Sequence, residues 1–339
     1  MQKNKLHRKI LLGVAVKTKI RNKMFGYIRF ILAYFVLLSH VGIGLAGKNI
    51  GVFAVVIFYI LAGLVTSKVF IKIAPQNAQI SYFIKDRFLR IYPAFFFAFA
   101  LTVLFFCATS YLQPHFNAKN LLLNALIVPL NYFFWLDVSV IDAPVGLNFI
   151  IPPAWSLGAE LQAYALLVLA IKFRRLGYAL AIGSLGVYAA ANLGFINADI
   201  YGYRLVYGVF FMFYTGFLIY QKELGKLAVF YAAVAALAGY LFYSREFSAF
   251  GAETMLGYLI GAAIVLAHEK FKFKLKFNNI AGSLSYAIFI SHFLFIWLSE
   301  LLLGNVNLAF VTTGSIIFGF INFYLIEQKI NKIRFRKQT

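Results

Sequence analysis

Two ionisable side chains stand out in the run IRFILAYFVLLSHVGIG, namely Arg29 and, eleven residues on, His40. That spacing is close to three helical turns, so both share one face, with the His about 16 Å further along. Ionisable groups inside a membrane segment are costly and mark functional positions. The plain alternative is a basic flank followed by a His that hydrogen-bonds a neighbouring helix. A cation at one end of an apolar span attracts anions, and an imidazole deeper in it can act as a general base. Glu160 is one of very few acids well inside an apolar stretch, one turn from Ser156 on the same face. It lies about 8 Å along the helix from Trp155, a residue type suited to the outer interface. A carboxylate beside an imidazole orients it and selects its tautomer, so Glu160 is expected to support His40. Arg87 and Arg90, with Lys85, gather where a span begins, and an arginine fork matches phosphate; a positive-inside anchor is the simpler reading. His292 follows Ala281 by eleven residues, a depth that matches His40 after Arg29. It reads either as a core His with its hydrogen bonds met or as part of the same site. His7, His115 and His268 are too scattered for a metal site, and none is expected. Ser39 points about 100° away from His40 on the helix, which disfavours a Ser–His dyad.

The elements that must position these groups are membrane helices. The 339 residues are 62% hydrophobic and only 13% charged, and apolar runs of membrane-crossing length recur throughout. The reading is an all-α polytopic membrane protein of about ten transmembrane helices. Their approximate bounds are 27–47, 50–67, 91–112, 154–171, 176–195, 204–221, 227–243, 252–268, 281–302 and 307–326. The formal net charge of +21 does not point to nucleic acid. With both termini in the cytoplasm, 28 of the 32 Lys and Arg fall inside, and Lys48, Lys119, Arg204 and Arg245 alone fall outside. That asymmetry is the positive-inside rule, with attraction to membrane lipid as a consequence. Residues 1–24 read as a basic cytoplasmic tail, 25–328 as the transmembrane domain and 329–339 as a second basic tail. Residues 68–90 read as a cytoplasmic loop, and Lys270 to Lys276 as an amphipathic surface segment. The longest outer loop, 112–153, contains one apolar run from Leu121 to Leu136, interrupted by Asn124, Pro129 and Asn131. It is expected to be re-entrant or interfacial, since a crossing there would put the later basic loops on the wrong side. Gly63 in the second span is either a close helix contact or a glycine merely tolerated in lipid. Glu300 and Glu327 read as solvated flanks, and Arg204 as an interfacial anchor. The single cysteine, Cys107, excludes an intrachain disulfide.

At this point the chain resembles a family, the acyltransferase 3 family of bacterial integral-membrane O-acyltransferases. The matching residues are Arg29-x10-His40, FYILAGL (Phe58 to Leu64), RFLRIYPAF (Arg87 to Phe95), WSLGAELQAY (Trp155 to Tyr164), SYAIFISH (Ser285 to His292) and YLIEQ (Tyr324 to Gln328). Ala62 departs from the pattern, standing where Ser is common. The resemblance implies an acyltransferase of the bacterial inner membrane. It would move an acyl group, usually acetyl, from cytoplasmic acyl-CoA (acetyl-CoA) to a hydroxyl of an envelope glycan. By position it implies His40 as the catalytic residue with Glu160 in support, and Arg29, Arg87 and Arg90 as the donor-binding cations. The rival expectation is a transporter or flippase for a glycan or lipid-linked precursor.

Overall fold

The structure is a computed structural model and describes residues 25–271 and 275–335. Among them there is no strand, only an isolated bridge between Leu45 and Lys48. The basic tail 1–24, the centre of the Lys270–Lys276 segment and residues 336–339 lie outside the described residues. In chain order the helices are α1 (Gly26–His40), α2 (Ile50–Lys68), α3 (Gln79–Thr109), α4 (Ala118–Leu126), α5 (Ala154–Lys172) and α6 (Arg174–Asn192). Then follow α7 (Val206–Gln221), α8 (Leu224–Ser244), α9 (Gly251–Phe271), α10 (Asn278–Leu303), α11 (Leu308–Asn322) and α12 (Gln328–Phe335). Among the described residues eight helical stretches are long and apolar enough to cross a membrane, and α1, with 15 residues, is shorter.

Three boundaries differ from the sequence reading. The first span ends at His40 instead of Gly47, because the chain turns there: Gly42 and Gly47 both have positive φ, 83° and 72°. Such backbone suits glycine, and it makes His40 the last residue of α1. Asn49 then starts α2 by accepting the N–H groups of Gly51 and Val52. Residues 68–90 are not an open loop. A π-turn (Val69–Ile73) and a short 3-10 turn (Gln76–Ala78) lead directly into α3, which starts at Gln79 and runs through Pro93. Arg87 and Arg90 are therefore helical residues fixed relative to one another. The C-terminal residues read as a tail instead continue past a π-turn (Phe323–Glu327) into α12, which packs back against α3.

Two close approaches hold the central helices. An added Cβ at Gly63 of α2 would sit 1.8 Å from the Phe213 carbonyl oxygen, and one at Gly216 of α7 would sit 2.1 Å from that of Ile60. Glycine on both sides lets the two backbones touch, the way small residues pack helices where lipid offers no hydrophobic driving force. Gly63 is thus a packing glycine. At the other end, an added Cβ at Gly26 would meet the Asn278 carbonyl oxygen at 1.7 Å. This contact starts α1 and α10 level with each other, and the Tyr27 N–H donates to Asn278 Oδ1 at 3.2 Å.

The outer segment behaves as expected of a non-crossing run. It breaks into α4 and a 3-10 turn (Val128–Tyr132), with Asn124 as its internal post. The Asn124 amide donates to the Asn120 and Val138 carbonyls at 2.9 and 2.8 Å and accepts the Ile150 N–H at 2.9 Å. Buried irregular backbone needs such partners.

Candidate active site

Because α1 and α10 start level and run side by side, residues equally far along them meet. His40 and His292 do so: His40 Nδ1 lies 3.0 Å from His292 Nε2, and the rings stack at 16° with centroids 5.1 Å apart. His292 is fully buried, while His40 is exposed. The network assigns the tautomers. His292 Nδ1 faces the Ile288 carbonyl oxygen at 3.0 Å, which can only accept, so Nδ1 carries the proton. In a neutral ring Nε2 then has the lone pair, and His40 Nδ1–H must donate to it. The remaining lone pair is on His40 Nε2, which has no protein partner among the described residues. This is the arrangement of an oriented base or nucleophile.

The expected carboxylate partner of His40 is not Glu160. That acid accepts the Tyr164 hydroxyl, one turn on along α5, and its electrostatic partners are Arg29, Arg87 and Arg90. The side chain hydrogen-bonded to His40 is His292 instead. The reason is helix placement: α10, rather than α5, lies along α1 over its whole length.

Glu160 instead lines a cavity of about 180 Å³ that opens among the starts of α1 and α10 and the C-terminal helix. Arg29, Arg87, Arg90, Ser156 and Glu160 all contribute to its wall. Arg90 Nη1 donates to Glu327 at 2.9 Å, and its guanidinium lies 5.7 Å from the Tyr286 ring. Glu327 is therefore a half-buried ion-pair partner and not a solvated flank. Glu300 likewise accepts the Tyr111 hydroxyl at 2.9 Å. Arg87 is held by Asp86 and lies 5.6 Å from the Tyr164 ring. Arg29 differs from both. Its guanidinium has no hydrogen-bond or ion-pair partner among the described residues, although Glu160 and Glu327 are near enough to act on it. A cation lining a cavity with its donors unspent is a ready anion site.

The cavity and the His pair are separate. The cavity wall reaches Val55, Phe58 and Phe289, but neither His40 nor His292 belongs to it. The Phe58 and Phe289 rings meet edge-on at 6.4 Å, and the Phe289 ring lies 6.5 Å from that of His292. One aromatic layer therefore stands between the cationic cavity and the imidazoles, so the helix face that Arg29 and His40 share does not put them in one cavity. Trp155 packs at the N-terminal end of α5, 5.0 Å from the Tyr203 ring, with the Arg204 guanidinium 4.6 Å from its centroid. Arg204 is tied to Asp199 at 2.9 Å and sits among aromatic rings, so it is no simple interfacial anchor. Its charge reaches His40. Ser156 donates to the Pro153 carbonyl at 3.0 Å.

Sequence reasoning missed Asp86, Tyr164, Tyr286, Glu327 and Arg334, all on the cavity wall. Asp86 had a signal, as the one acid within the basic stretch KDRFLR. Tyr164, Tyr286 and Glu327 lie in motifs quoted above that give no sign of their partners, and Arg334 carries no signal, because their roles depend on which helices meet. No group of three His, Cys, Asp or Glu suited to a metal occurs among the described residues.

The profile of the acyltransferase 3 family, described as an acyltransferase domain, matches residues 23–326. An uncharacterized protein of Aquifex aeolicus (strain VF5) is 36% identical over 200 residues, which cover 55% of this chain and 90% of that protein. No solved structure matches. With a match across nearly its whole length and eight helices fit to span a bilayer, the chain belongs to the acyltransferase 3 family and is a membrane acyltransferase.

Proposed function

We propose that this protein is an O-acyltransferase of the bacterial cytoplasmic membrane, with ten spans and both termini inside. It takes an acyl group, acetyl in the simplest case, from acyl-coenzyme A in the cytoplasm and passes it to a hydroxyl of an envelope or exported glycan. The observation that carries this reading is the His40–His292 pair, which leaves His40 Nε2 open one aromatic layer beyond a cavity lined by arginines. Arg29, with its donors unspent, suits a phosphate of the donor, and the apolar end of the cavity at Phe58 and Phe289 suits the thioester arm.

Two routes fit the geometry. In the direct route, His40 Nε2 takes the proton of the acceptor hydroxyl and the oxygen attacks the thioester carbonyl. The C–S bond breaks, and the thiolate leaves with the proton His40 holds. In the covalent route, Nε2 attacks the thioester itself and the thiolate departs. The acceptor hydroxyl oxygen then displaces the imidazole and its proton balances the thiolate released in the first step, so the acyl group reaches the acceptor from His40, beyond the Phe58/Phe289 layer. Ping-pong kinetics would distinguish the second from the first. The test of the function is mass analysis of cell glycans with wild-type protein and with His40→Ala, together with coenzyme A release by the purified protein. The expected result is one acetyl unit per modified sugar, lost in the variant. A correctly inserted His40→Ala protein that still acetylates, or a wild-type protein that moves glycan without releasing coenzyme A, would overturn it.

A further inference from the structure

The family match ends at residue 326, yet the cavity wall continues beyond it, through Glu327 to Asn331 and Arg334 on α12. Arg334 donates through Nε and Nη2 to Asp86 Oδ1 at 3.1 and 2.7 Å. From the neighbouring position, Arg87 donates through Nε and Nη2 to Asp86 Oδ2 at 3.1 and 2.5 Å. Two guanidinium forks thus converge on the two oxygens of one carboxylate, and all three residues face the cavity.

This geometry is that of a phosphate site. Planar forks closing on one small anion from two sides are how arginines hold a phosphate group, which offers more acceptor oxygens than a carboxylate. The charges are also uneven: two cations share one carboxylate in a setting where the side chains are only 10% and 6% accessible for Arg334 and Asp86. Two guanidinium groups held this close in such surroundings repel each other, which favours an anion between them. A triad that merely fastened α12 would have no need to face a cavity, and α12 already has a second tie, in the Arg90–Glu327 pair next to its first residue.

We infer that Arg334 and Arg87 form a phosphate subsite for the donor, and that Asp86 keeps their forks in register while the donor is absent. The C-terminal helix is then part of the donor site. This rests on the donor reading above and adds a residue to it that lies outside the matched domain. On binding, the phosphate takes over N–H donors from the carboxylate, an exchange of one anion for another on the same forks.

The experiment is equilibrium binding of coenzyme A to the purified full-length protein, with inorganic pyrophosphate as a second probe. Arg334→Gln should weaken coenzyme A binding by about 10- to 100-fold, the size of one lost charge-assisted contact. Arg334→Lys, which keeps the charge without the fork, should fall between. Asp86→Asn removes the competing anion and should bind coenzyme A at least as tightly as wild type. Wild-type affinity in folded Arg334→Gln overturns the inference. So does Asp86→Asn losing as much affinity as Arg334→Gln, since that makes the triad a fastener only. Should Arg334→Gln not fold, the Lys and Asn variants still carry opposite expectations. If wild type ignores coenzyme A but binds pyrophosphate with this same variant pattern, the donor reading fails and the subsite stands. If it binds neither, both fall.

Discussion

Replacing His292 probes the site most directly. Its side chain is fully buried, and its two ring nitrogens face Ile288 and His40. In His292→Leu both hydrogen bonds go. The Ile288 carbonyl keeps its place within α10, so the main loss is the acceptor for His40 Nδ1–H. His40 has an exposed side chain at the C-terminal end of α1, so its ring can turn from the lost acceptor. The stability cost should therefore stay near the usual net value of a hydrogen bond, about 1 kcal/mol. The catalytic cost should be larger. With only the Val36 carbonyl left beside the ring, the tautomer is held less firmly, and His40 also populates the form protonated at Nε2, which can neither take a proton nor attack a thioester through that nitrogen. The bond to His292 must also strengthen as positive charge develops on His40, and bonds to charged groups are worth about 1.5–3 kcal/mol. At about 1.36 kcal/mol per decade, turnover should fall roughly 10- to 100-fold. Gln at the same position places an amide oxygen where Nε2 accepts, so His292→Gln should recover part of the loss. The assay is coenzyme A release in proteoliposomes, with thermal melting as the control on folding. A His292→Leu protein that melts like wild type and turns over at the wild-type rate would refute the tautomer argument.

Arg29→Gln should raise KM for the donor about 10- to 100-fold with little change in kcat, because it removes the cavity cation whose donors are unspent; steady-state kinetics at varied acyl-coenzyme A checks this. Gly63→Val should fail to give a monodisperse, stably folded protein in detergent, since its Cβ would lie 1.8 Å from the Phe213 carbonyl oxygen on backbone that cannot retreat. Asn124→Ala removes an amide that donates twice and accepts once in the outer segment. It should cost about 1–3 kcal/mol in local stability, seen as earlier protease cleavage within residues 112–153 while the helices resist.

Much of this protein can be read from the chain alone. Recurring apolar runs of membrane-crossing length identify the class because insertion into a bilayer is decided segment by segment, by local composition. The spacing of Arg29 and His40 is likewise a local quantity, set by helical rise along one element. Asn124 and Asn131 within the apolar outer run signalled a segment that does not cross, because buried amides need partners that lipid cannot provide. What local pattern cannot express is which helix lies against which. Glu160 had a suitable depth for His40, but depth is one coordinate and contact needs three. The level start of α1 and α10 at Gly26 and Asn278 gave that place to His292. The same limit hid the Phe58/Phe289 layer between cavity and imidazoles, and the return of α12 that brings Arg334 to Asp86, 248 residues away along the chain. The apolar helices follow from the order of residues, whereas the site exists only where side chains distant in sequence are packed within a few ångström of one another.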